Sequence, residues 1–316
     1  MVGIIILNYN TPDDVVTCVD SVKKYTTTEY KIYLVDNSST DDSVKVLSEK
    51  YADDEKVVLI ASDSNNGFSA GNNIGIKRAA TEGCSYICIM NADVILTNDV
   101  ISVLEGKLVA DNTVGVAAPA IRSPNSDEEC QFARNKLTLQ NFLAEKSFLK
   151  KDKRYCRKHS RYQIKDEYFT EDYKFFGMTY GCCYMISMEN FFRIKLLDEA
   201  VFLYYEEDIL AYKLEKLSLY TLICPEAVII HNHHSSTNKT PLANRLFHYR
   251  MSEILVLRKY AGVSRFKLFP IIVALKLSWR KKSSKSEDFA ARKKEYFAAL
   301  KRVKRIKRKC GLDDIN

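Results

Sequence analysis

The sequence predicts an α/β fold: a mostly parallel, doubly wound sheet flanked by helices. Short apolar runs alternate with helical patterns four times in the first hundred residues, which is the order of elements in such sheets. The apolar content of 46% and the charged content of 28% are typical of a soluble globular protein. Asn, Asp or Gly follows each of the four runs, so these polar residues should meet in one crevice at the carboxyl ends of the strands, where ligands bind such sheets.

The first two strands are predicted from the apolar runs at 2–7 and 31–36. The first ends at Asn8 and leads to a helical pattern with acidic residues in its first turn, where the helix dipole favours them. The second ends at Asp36, which is placed to accept a hydrogen bond from a nucleotide base or ribose, or else to form an Asx turn or helix cap. The N-terminal run lacks a basic region and a cleavage site, so we interpret it as a strand and not as a signal peptide.

The third and fourth strands are separated by a loop rich in Asn and Gly. The run at 57–60 leads to this loop at 65–73, and the run that begins at Tyr86 stops at Asn91 and Asp93. A buried Asp is costly without a partner such as a divalent cation on a nucleotide diphosphate; alternatively, Asp93 caps local backbone in a turn. The loop matches neither a dinucleotide fingerprint nor a P-loop, so a metal would have to carry the charge of a diphosphate.

The periodic pattern is lost after a predicted helix and strand at 97–121. Residues 122–175 are charged and aromatic without a strong period, and we expect them to form an insertion or a flexible lid. Order returns with a strand at 175–186. We therefore expect a main domain over residues 1–240 and a helical, basic region over residues 241–316.

Three adjacent carboxylates, Glu206, Glu207 and Asp208, follow large apolar and aromatic residues at 202–205. Aromatic walls and like-charged neighbours both raise the pKa of a carboxyl group, which suits a general base. Alternatively, the acids stabilise the N-terminus of the following helix through its dipole. Both interpretations can hold at once.

His231 follows the last predicted strand directly, and His233 and His234 come close behind it. A lone histidine is usually structural, but three in four residues after a strand also suit a metal site, so both interpretations stay open. The nine cysteines lack metal-ligand spacing, and we interpret them as reduced thiols of an intracellular protein.

Six segments, in order along residues 1–236, are similar to the motifs of a known family. They lie at 4–10, 35–39, 65–73, 90–93, 202–208 and 225–231. On these segments the chain resembles family 2 glycosyltransferases of the GT-A fold, especially the rhamnosyl- and hexosyltransferases of bacterial cell-surface polysaccharide assembly. The resemblance implies that residues 1–240 form a GT-A catalytic domain.

The resemblance implies a set of residues that contact the nucleotide sugar. They are Tyr9, Asn10, Asp36, Asn66, Gly67, Asn73, Asn91 and Asp93. Asp93 stands for the last acid of the family's Asp-x-Asp motif and would bind Mg²⁺ or Mn²⁺ on the diphosphate, with His231 as a second contact. Asn91 occupies the first acidic position, so the metal site depends more on Asp93. Gly181 is expected to border the acceptor.

The resemblance also implies the chemistry, a single displacement that inverts the anomeric centre. Glu207 aligns with the family's base, and we rank it first, Asp208 second and Glu206 third. The base takes the proton of the acceptor hydroxyl, which attacks C1 of the sugar opposite the nucleotide. The expected donor is dTDP-rhamnose or a UDP-hexose, and the expected acceptor is a saccharide, in lipid-linked form, during capsule, O-antigen or exopolysaccharide assembly. A non-catalytic sugar-nucleotide-binding protein is the alternative, but it would not need the three acids.

The C-terminal region combines apolar helical patterns with a basic tail. Residues 266–279 form an apolar stretch, too short to span a bilayer, that ends in the single tryptophan, Trp279; residues 280–309 hold 14 Lys and Arg against three acids. We expect an interfacial helix that holds a cytoplasmic enzyme on the inner face of the cell membrane. The alternatives are a helix packed on the catalytic domain, a homodimer interface, or nucleic-acid binding, for which the tail shows no recognisable module.

Overall fold

A nine-stranded sheet forms the centre of the computed structural model, which describes residues 1–124, 133–161, 170–232 and 240–306. The strands are β1 (Val2–Asn8), β2 (Tyr30–Asp36), β3 (Val57–Ala61), β4 (Tyr86–Asn91), β5 (Val94–Leu96), β6 (Val114–Arg122), β7 (Tyr173–Phe175), β8 (Cys183–Ser187) and β9 (Tyr220–His231). Their order across the sheet is β3-β2-β1-β4-β8-β6-β9-β5, and β7 pairs with β9.

Helices cover both faces of the sheet and continue beyond it. They are α1 (Pro12–Tyr25), α2 (Ser43–Lys50), α3 (Phe68–Thr81), α4 (Val100–Ala110), α5 (Leu139–Lys146), α6 (Lys153–His159), α7 (Met188–Arg193), α8 (Glu206–Lys216), α9 (Leu242–Leu255), α10 (Arg265–Ser283), α11 (Glu287–Ala291) and α12 (Lys293–Arg305). A π-helical turn, Val256–Tyr260, continues α9. No helix in these described residues is long and apolar enough to cross a bilayer.

Alternation along β1 divides the core between the two faces of the sheet. Ile4 and Ile6 pack with the apolar residues of α1, α2 and α4. Ile5, between them, packs on the opposite face with α3, α7 and α8. Successive side chains of a strand point to opposite faces, so an unbroken apolar run is what a strand covered on both sides requires. The predicted α/β fold with helices on both faces is confirmed.

The sheet changes character beyond β4. Strands β1 to β4 are mutually parallel where they pair, as predicted, whereas β8 runs antiparallel to both β4 and β6. Because β8 returns along β4, the segment just before β8 meets the carboxyl end of β4, where the Asn91 N–H donates to the Cys182 carbonyl at 2.8 Å. The antiparallel strand thereby brings the 178–182 segment to the crevice.

The C-terminal helices share a separate apolar core with α5 and α8. Trp279 lies inside this core, only 3% exposed; its ring stacks on Tyr296 with centroids 3.8 Å apart, and its N–H donates to the Phe289 carbonyl at 3.0 Å. Trp279 therefore does not lie at a surface of this helix, and α10 packs on the rest of the described chain, as one of the alternatives expected. An indole whose N–H finds a partner inside is a core residue.

Candidate active site

A cleft of about 360 Å³ lies at the carboxyl end of β4. Among the residues that line it are Asn91, Gly181, Glu206, Glu207, His231 and Tyr249. The sequence places these residues in five separate stretches, and the crossing of β4, β8, β9 and α8 brings them to one edge. A concave site with converging polar groups is where a ligand site is expected.

Two left-handed residues turn the chain into α8 and set the position of the acids. Tyr204 and Tyr205 have φ values of 72° and 70°, in a region that costs a bulky residue about 1–3 kcal/mol each. The surroundings hold this strained turn: the Tyr205 hydroxyl donates to Glu253 at 2.9 Å, and the Ser252 hydroxyl donates to the Leu203 carbonyl at 2.8 Å. Contacts with α9 therefore determine where α8 begins.

Glu207 is held against the backbone at Gly181. The Gly181 N–H donates to Glu207 Oε1 at 3.1 Å, and a Cβ added at Gly181 would lie 2.4 Å from the same oxygen. Only glycine leaves room for this carboxylate. Burial raises the pKa of Glu207, although the backbone N–H groups and Arg134 oppose the rise. A carboxylate with a raised pKa, fixed in a cleft, is suited to take a proton.

Glu206 lies beside Glu207 but in a different environment. Its side chain is 8% exposed, and its buried Oε1 makes no hydrogen bond to any residue the structure describes. Burial, followed by the charge of Glu207, raises the pKa of Glu206 to about 8. At neutral pH Glu206 therefore keeps its proton and places no negative charge beside Glu207.

Asp208 is occupied by a buried ion pair. Nη2 of Arg161 lies 2.8 Å from each carboxylate oxygen, and the Leu137 N–H donates to Oδ1 as well. Both side chains of the pair are almost fully buried. A carboxylate engaged in this way is not placed to accept a substrate proton. The geometry therefore argues against Asp208 as the second-ranked base and gives it a structural role.

Asp93 and His231 meet where β5 pairs with β9. His231 Nε2 lies 3.1 Å from Asp93 Oδ1, with side chains 9% and 13% exposed. The described residues contain no cluster of three or more His, Cys, Asp or Glu that could hold a metal, and His233 and His234 lie outside them. Mg²⁺ and Mn²⁺ prefer oxygen ligands, and Mg²⁺ is commonly held by one or two carboxylates together with substrate phosphates and water, so Asp93 fits such an ion. The His231 imidazole is a less usual ligand for Mg²⁺ and fits Mn²⁺ better.

The predicted base and ribose residues lie together at the ends of β1 and β2. Asp36 is 1% exposed, and it accepts from the Asn8 amide at 2.7 Å and from the Ser39 N–H at 2.9 Å. The Asx-type contact, which was the alternative for Asp36, is thus present. Asn10 adopts φ 59° and accepts from the Thr40 N–H at 2.8 Å, while Tyr9 is 38% exposed.

The Asn- and Gly-rich loop is joined to the acidic segment. Gly67 has φ 96°, and a Cβ there would lie 2.2 Å from the Phe202 carbonyl oxygen. That oxygen accepts from the Phe68 N–H at 2.9 Å. The freedom of Gly67 therefore serves a backbone contact between the two loops. Asn66 is exposed and donates to the Ser64 hydroxyl at 2.8 Å.

Asn73 does not lie in the cleft. It is 1% exposed, its amide group donates to the Leu197 carbonyl at 3.0 Å and to Glu199 at 2.8 Å, and it accepts from the Leu197 N–H. These contacts hold the loop that leads to the acidic segment. The structure thus gives Asn73 a positioning role and not the predicted nucleotide contact.

Two arginines that line the cleft were not among the predicted site residues. Arg134 and Arg161 come from the segment without periodicity, and both line the cleft. The Arg134 guanidinium lies 5.2 Å from the centre of the Tyr180 ring, and its backbone bonds to Met178 in an isolated bridge. No spacing signal marked either residue; the only hint was the high basic content of 122–175.

A family model described as "Glycosyl transferase family 2" matches residues 3–189, more than half of the chain. The chain belongs to glycosyltransferase family 2. The match covers Asp36, Asp93 and Gly181 and ends before Glu206. The resemblance described above is therefore confirmed at the level of the family.

Two curated relatives of the chain match it over about a third of its length. A teichoic acid poly(glycerol phosphate) polymerase of Staphylococcus epidermidis is 30% identical over 117 residues, which are 37% of this chain and 16% of that protein. The glycosyltransferase GlyG of Streptococcus pneumoniae is 30% identical over 104 residues, 33% of this chain and 34% of that protein. The chain thus spans about a third or less of the length of these relatives.

A solved structure supports the family's fold. The crystal structure of GalNAc-T7 with UDP, GalNAc and Mn²⁺ is similar with a TM-score of 0.58 and 17% identity, over 78% of this chain and 48% of that one. At this identity the likeness speaks for the fold alone. The predicted GT-A fold, with a helical C-terminal extension, is confirmed.

Proposed function

We propose that this family 2 glycosyltransferase moves a sugar from a nucleoside-diphosphate sugar to a saccharide hydroxyl, with inversion at the anomeric carbon. The observation that carries the proposal is Glu207, a carboxylate of raised pKa fixed by the Gly181 N–H inside a cleft that also reaches Asn91 and His231. A single displacement requires a base for the acceptor and a binding site for the leaving diphosphate in the same cleft.

In this proposal Glu207 takes the proton from the acceptor hydroxyl. The hydroxyl oxygen forms its bond to C1 of the sugar as the bond from C1 to the diphosphate oxygen breaks, and the electron pair leaves with the diphosphate. Glu206, which keeps its own proton at neutral pH, adds no second negative charge beside the nucleophile. Inversion follows because the hydroxyl and the leaving group lie on opposite sides of C1.

Asp93 and His231 would hold the Mg²⁺ or Mn²⁺ of the diphosphate. When bound, such an ion supplies positive charge to the leaving diphosphate. Asn91, at the end of β4 in the same cleft, offers an amide to the donor. We propose Tyr9, Asn10, Asp36, Asn66 and Gly67 for the nucleotide side, because the ends of β1 and β2 are the neighbouring strand ends of the sheet.

The proposal also names a class of donor and a class of acceptor. A UDP-hexose is the first candidate donor, and dTDP-rhamnose is the second. The acceptor is a saccharide, in lipid-linked form, of a capsule, O-antigen or other surface polymer, used at the inner face of the membrane. Aromatic residues such as Tyr180 and Tyr249 line the cleft and offer flat surfaces to a sugar ring.

A thermal-shift panel of UDP, dTDP and their sugars, with Mn²⁺ or with chelator, tests the donor side. A ligand that binds only the folded protein raises the melting temperature by mass action. We expect a metal-dependent shift with one nucleotide that is lost in Asp93→Ala and kept in Glu207→Gln. Turnover of the same donor should require both residues. If no nucleotide changed the melting temperature, the transferase proposal would be overturned.

A further inference from the structure

Helix α10 has apolar residues on two opposite sides. Its inner side packs Leu268, Ile271, Ile272 and Trp279 into the C-terminal core. Its outer side shows four large apolar residues to solvent, Phe266 at 91%, Phe269 at 56%, Val273 at 39% and Leu277 at 55% exposed. Spacings of three and four residues place these four on one stripe of a helix. This outer stripe is not needed for the packing of the described chain.

Cations surround the outer stripe. Helix α10 contains six Lys and Arg and no Asp or Glu, and residues 265–305 hold 14 Lys and Arg against three acids. Lys304, on α12, places its ammonium group 4.5 Å from the centre of the exposed Phe269 ring. This face of α10 therefore combines an apolar stripe with neighbouring basic residues.

We propose that the outer face of α10 binds the surface of an anionic lipid bilayer, with the helix lying in the plane of the interface. Nineteen residues give α10 a length of about 28 Å, and its charges keep it from crossing the bilayer. The apolar stripe enters the headgroup region, and the Lys and Arg side chains contact lipid phosphates.

Two other occupants fit this face less well. A second copy in a two-fold contact would bring the same basic surface against itself, and like charges repel. A nucleic acid would meet the cations, but interfaces with nucleic acids are polar throughout and make no use of four adjacent exposed apolar side chains. The combination of both features on one helix favours a lipid surface.

Aromatic packing connects this face to the cleft. Tyr249 of α9 lines the cleft, and Phe247 on the same helix contacts Tyr296 of α12 with ring centroids 5.9 Å apart. Tyr296 in turn stacks on Trp279 of α10. A bilayer bound to α10 therefore sits at a fixed position relative to the cleft. The surface does not rest on the proposed transfer reaction, and the two can fail separately.

Vesicle flotation of the full chain tests this surface. Vesicles of phosphatidylcholine with about a third phosphatidylglycerol should carry the protein upward, whereas vesicles of phosphatidylcholine alone should carry little. Phe266→Asp/Leu277→Asp should lower the bound fraction at least about tenfold, because it puts charge into the stripe. Val109→Asp is the matched control: Val109 is 66% exposed on α4, and its substitution should leave binding unchanged.

Several results would overturn the proposal. They are a native protein that stays with neither vesicle, a stripe variant that floats like the native protein, and a native dimer that the stripe variant converts to a monomer without loss of lipid binding. Melting temperatures check that the variants fold, and Phe269→Gln/Val273→Gln tests the same stripe should the first variant melt early. The nucleotide-induced shift should be the same in every variant, which separates this surface from the donor site.

Discussion

Glu206 and Glu207 are neighbours in the chain and in the cleft, yet their contacts differ. Glu207 accepts from the Gly181 N–H, whereas Glu206 Oε1 has no hydrogen-bond partner among the described residues. We expect Glu207→Gln to lower kcat by about 10²–10⁴, the usual contribution of a general base. The nucleotide-induced thermal shift of this variant should remain, which separates loss of chemistry from loss of donor binding.

Glu206→Gln is the matched control, since it changes the adjacent acid in the same way. It should keep activity within about tenfold of the native enzyme, because Glu206 is already protonated at neutral pH. If Glu206→Gln were the inactive variant and Glu207→Gln the active one, the roles of the two acids would have to be exchanged.

The raised pKa of Glu206 also makes stability depend on pH. Between its ordinary value of 4.5 and about 8, the folded protein holds a proton that the unfolded chain releases. The free energy of unfolding should therefore fall as the pH rises through this window. The Glu206→Gln variant lacks this titrating group. Its Tm should therefore drop less between about pH 5 and about pH 9 than the Tm of the native protein. Parallel Tm profiles for the two proteins would contradict the assignment.

Residue types and their positions after strands or aromatic runs selected Asp93, His231 and Glu207 as candidates, and their roles stay predictions. The structure places Glu207 and His231 in one cleft and Asp93 beside His231. Asn73 was predicted to contact the nucleotide but lies outside the cleft. An asparagine in a loop-to-helix stretch suits a buried loop contact as well as a nucleotide. Arg161 could not be predicted, because its pairing with Asp208 depends on how a segment without periodicity folds back.

At the scale of elements, the segment before β8 determines how closely Glu207 approaches the backbone. Gly181→Ala should push the carboxylate away, because the new Cβ would fall 2.4 Å from its oxygen. We expect kcat to fall at least about tenfold, because even a small displacement of a catalytic group lowers the rate strongly. Gly106→Ala, in α4, is the control: nothing lies within 4 Å of its Cβ position, so activity should not change. Equal activity of both variants would show that the Gly181 contact does not position the base.

The ion pair of Arg161 and Asp208 joins α8 to the 133–161 segment. Asp208→Asn should lower the free energy of unfolding by about 3–5 kcal/mol, because Arg161 would keep a buried charge without its counter-ion. Urea unfolding measures this loss. The double variant Arg161→Met/Asp208→Leu should recover most of the stability, since it removes both charges together. A single variant with unchanged unfolding would mean that the pair is not formed in solution.

Element prediction succeeded where periodicity was strong. The runs of β1, β2, β3 and β4 ended within a few residues of their observed ends, because strands covered on both faces leave a continuous apolar signal. Strand direction leaves no such signal, so the antiparallel course of β8 was not foreseen. Helices α5 and α6 were not predicted either, since each is short and pairs apolar with charged residues without a clear stripe.

At the scale of the whole molecule, the C-terminal region shows that composition does not predict which side of a helix faces the core. The sequence predicted apolar helices and a basic tail, and both are present. The sequence does not indicate which side of α10 faces inward, because apolar residues occupy two opposite sides of that helix. Trp279 lies on the inner side, whereas the exposed side is that of Phe266 and Leu277. Only packing against α12 decided between them.

If the outer face of α10 binds a bilayer as proposed, the search for the acceptor takes place in two dimensions. An enzyme resting on a lipid surface meets a lipid-linked acceptor by lateral diffusion, at an effective concentration set by the crowding of the surface and not by the volume of the cell. The nucleotide sugar, in contrast, arrives from the surrounding water. The rate should therefore follow the density of acceptor in the bilayer for one substrate and the bulk concentration for the other.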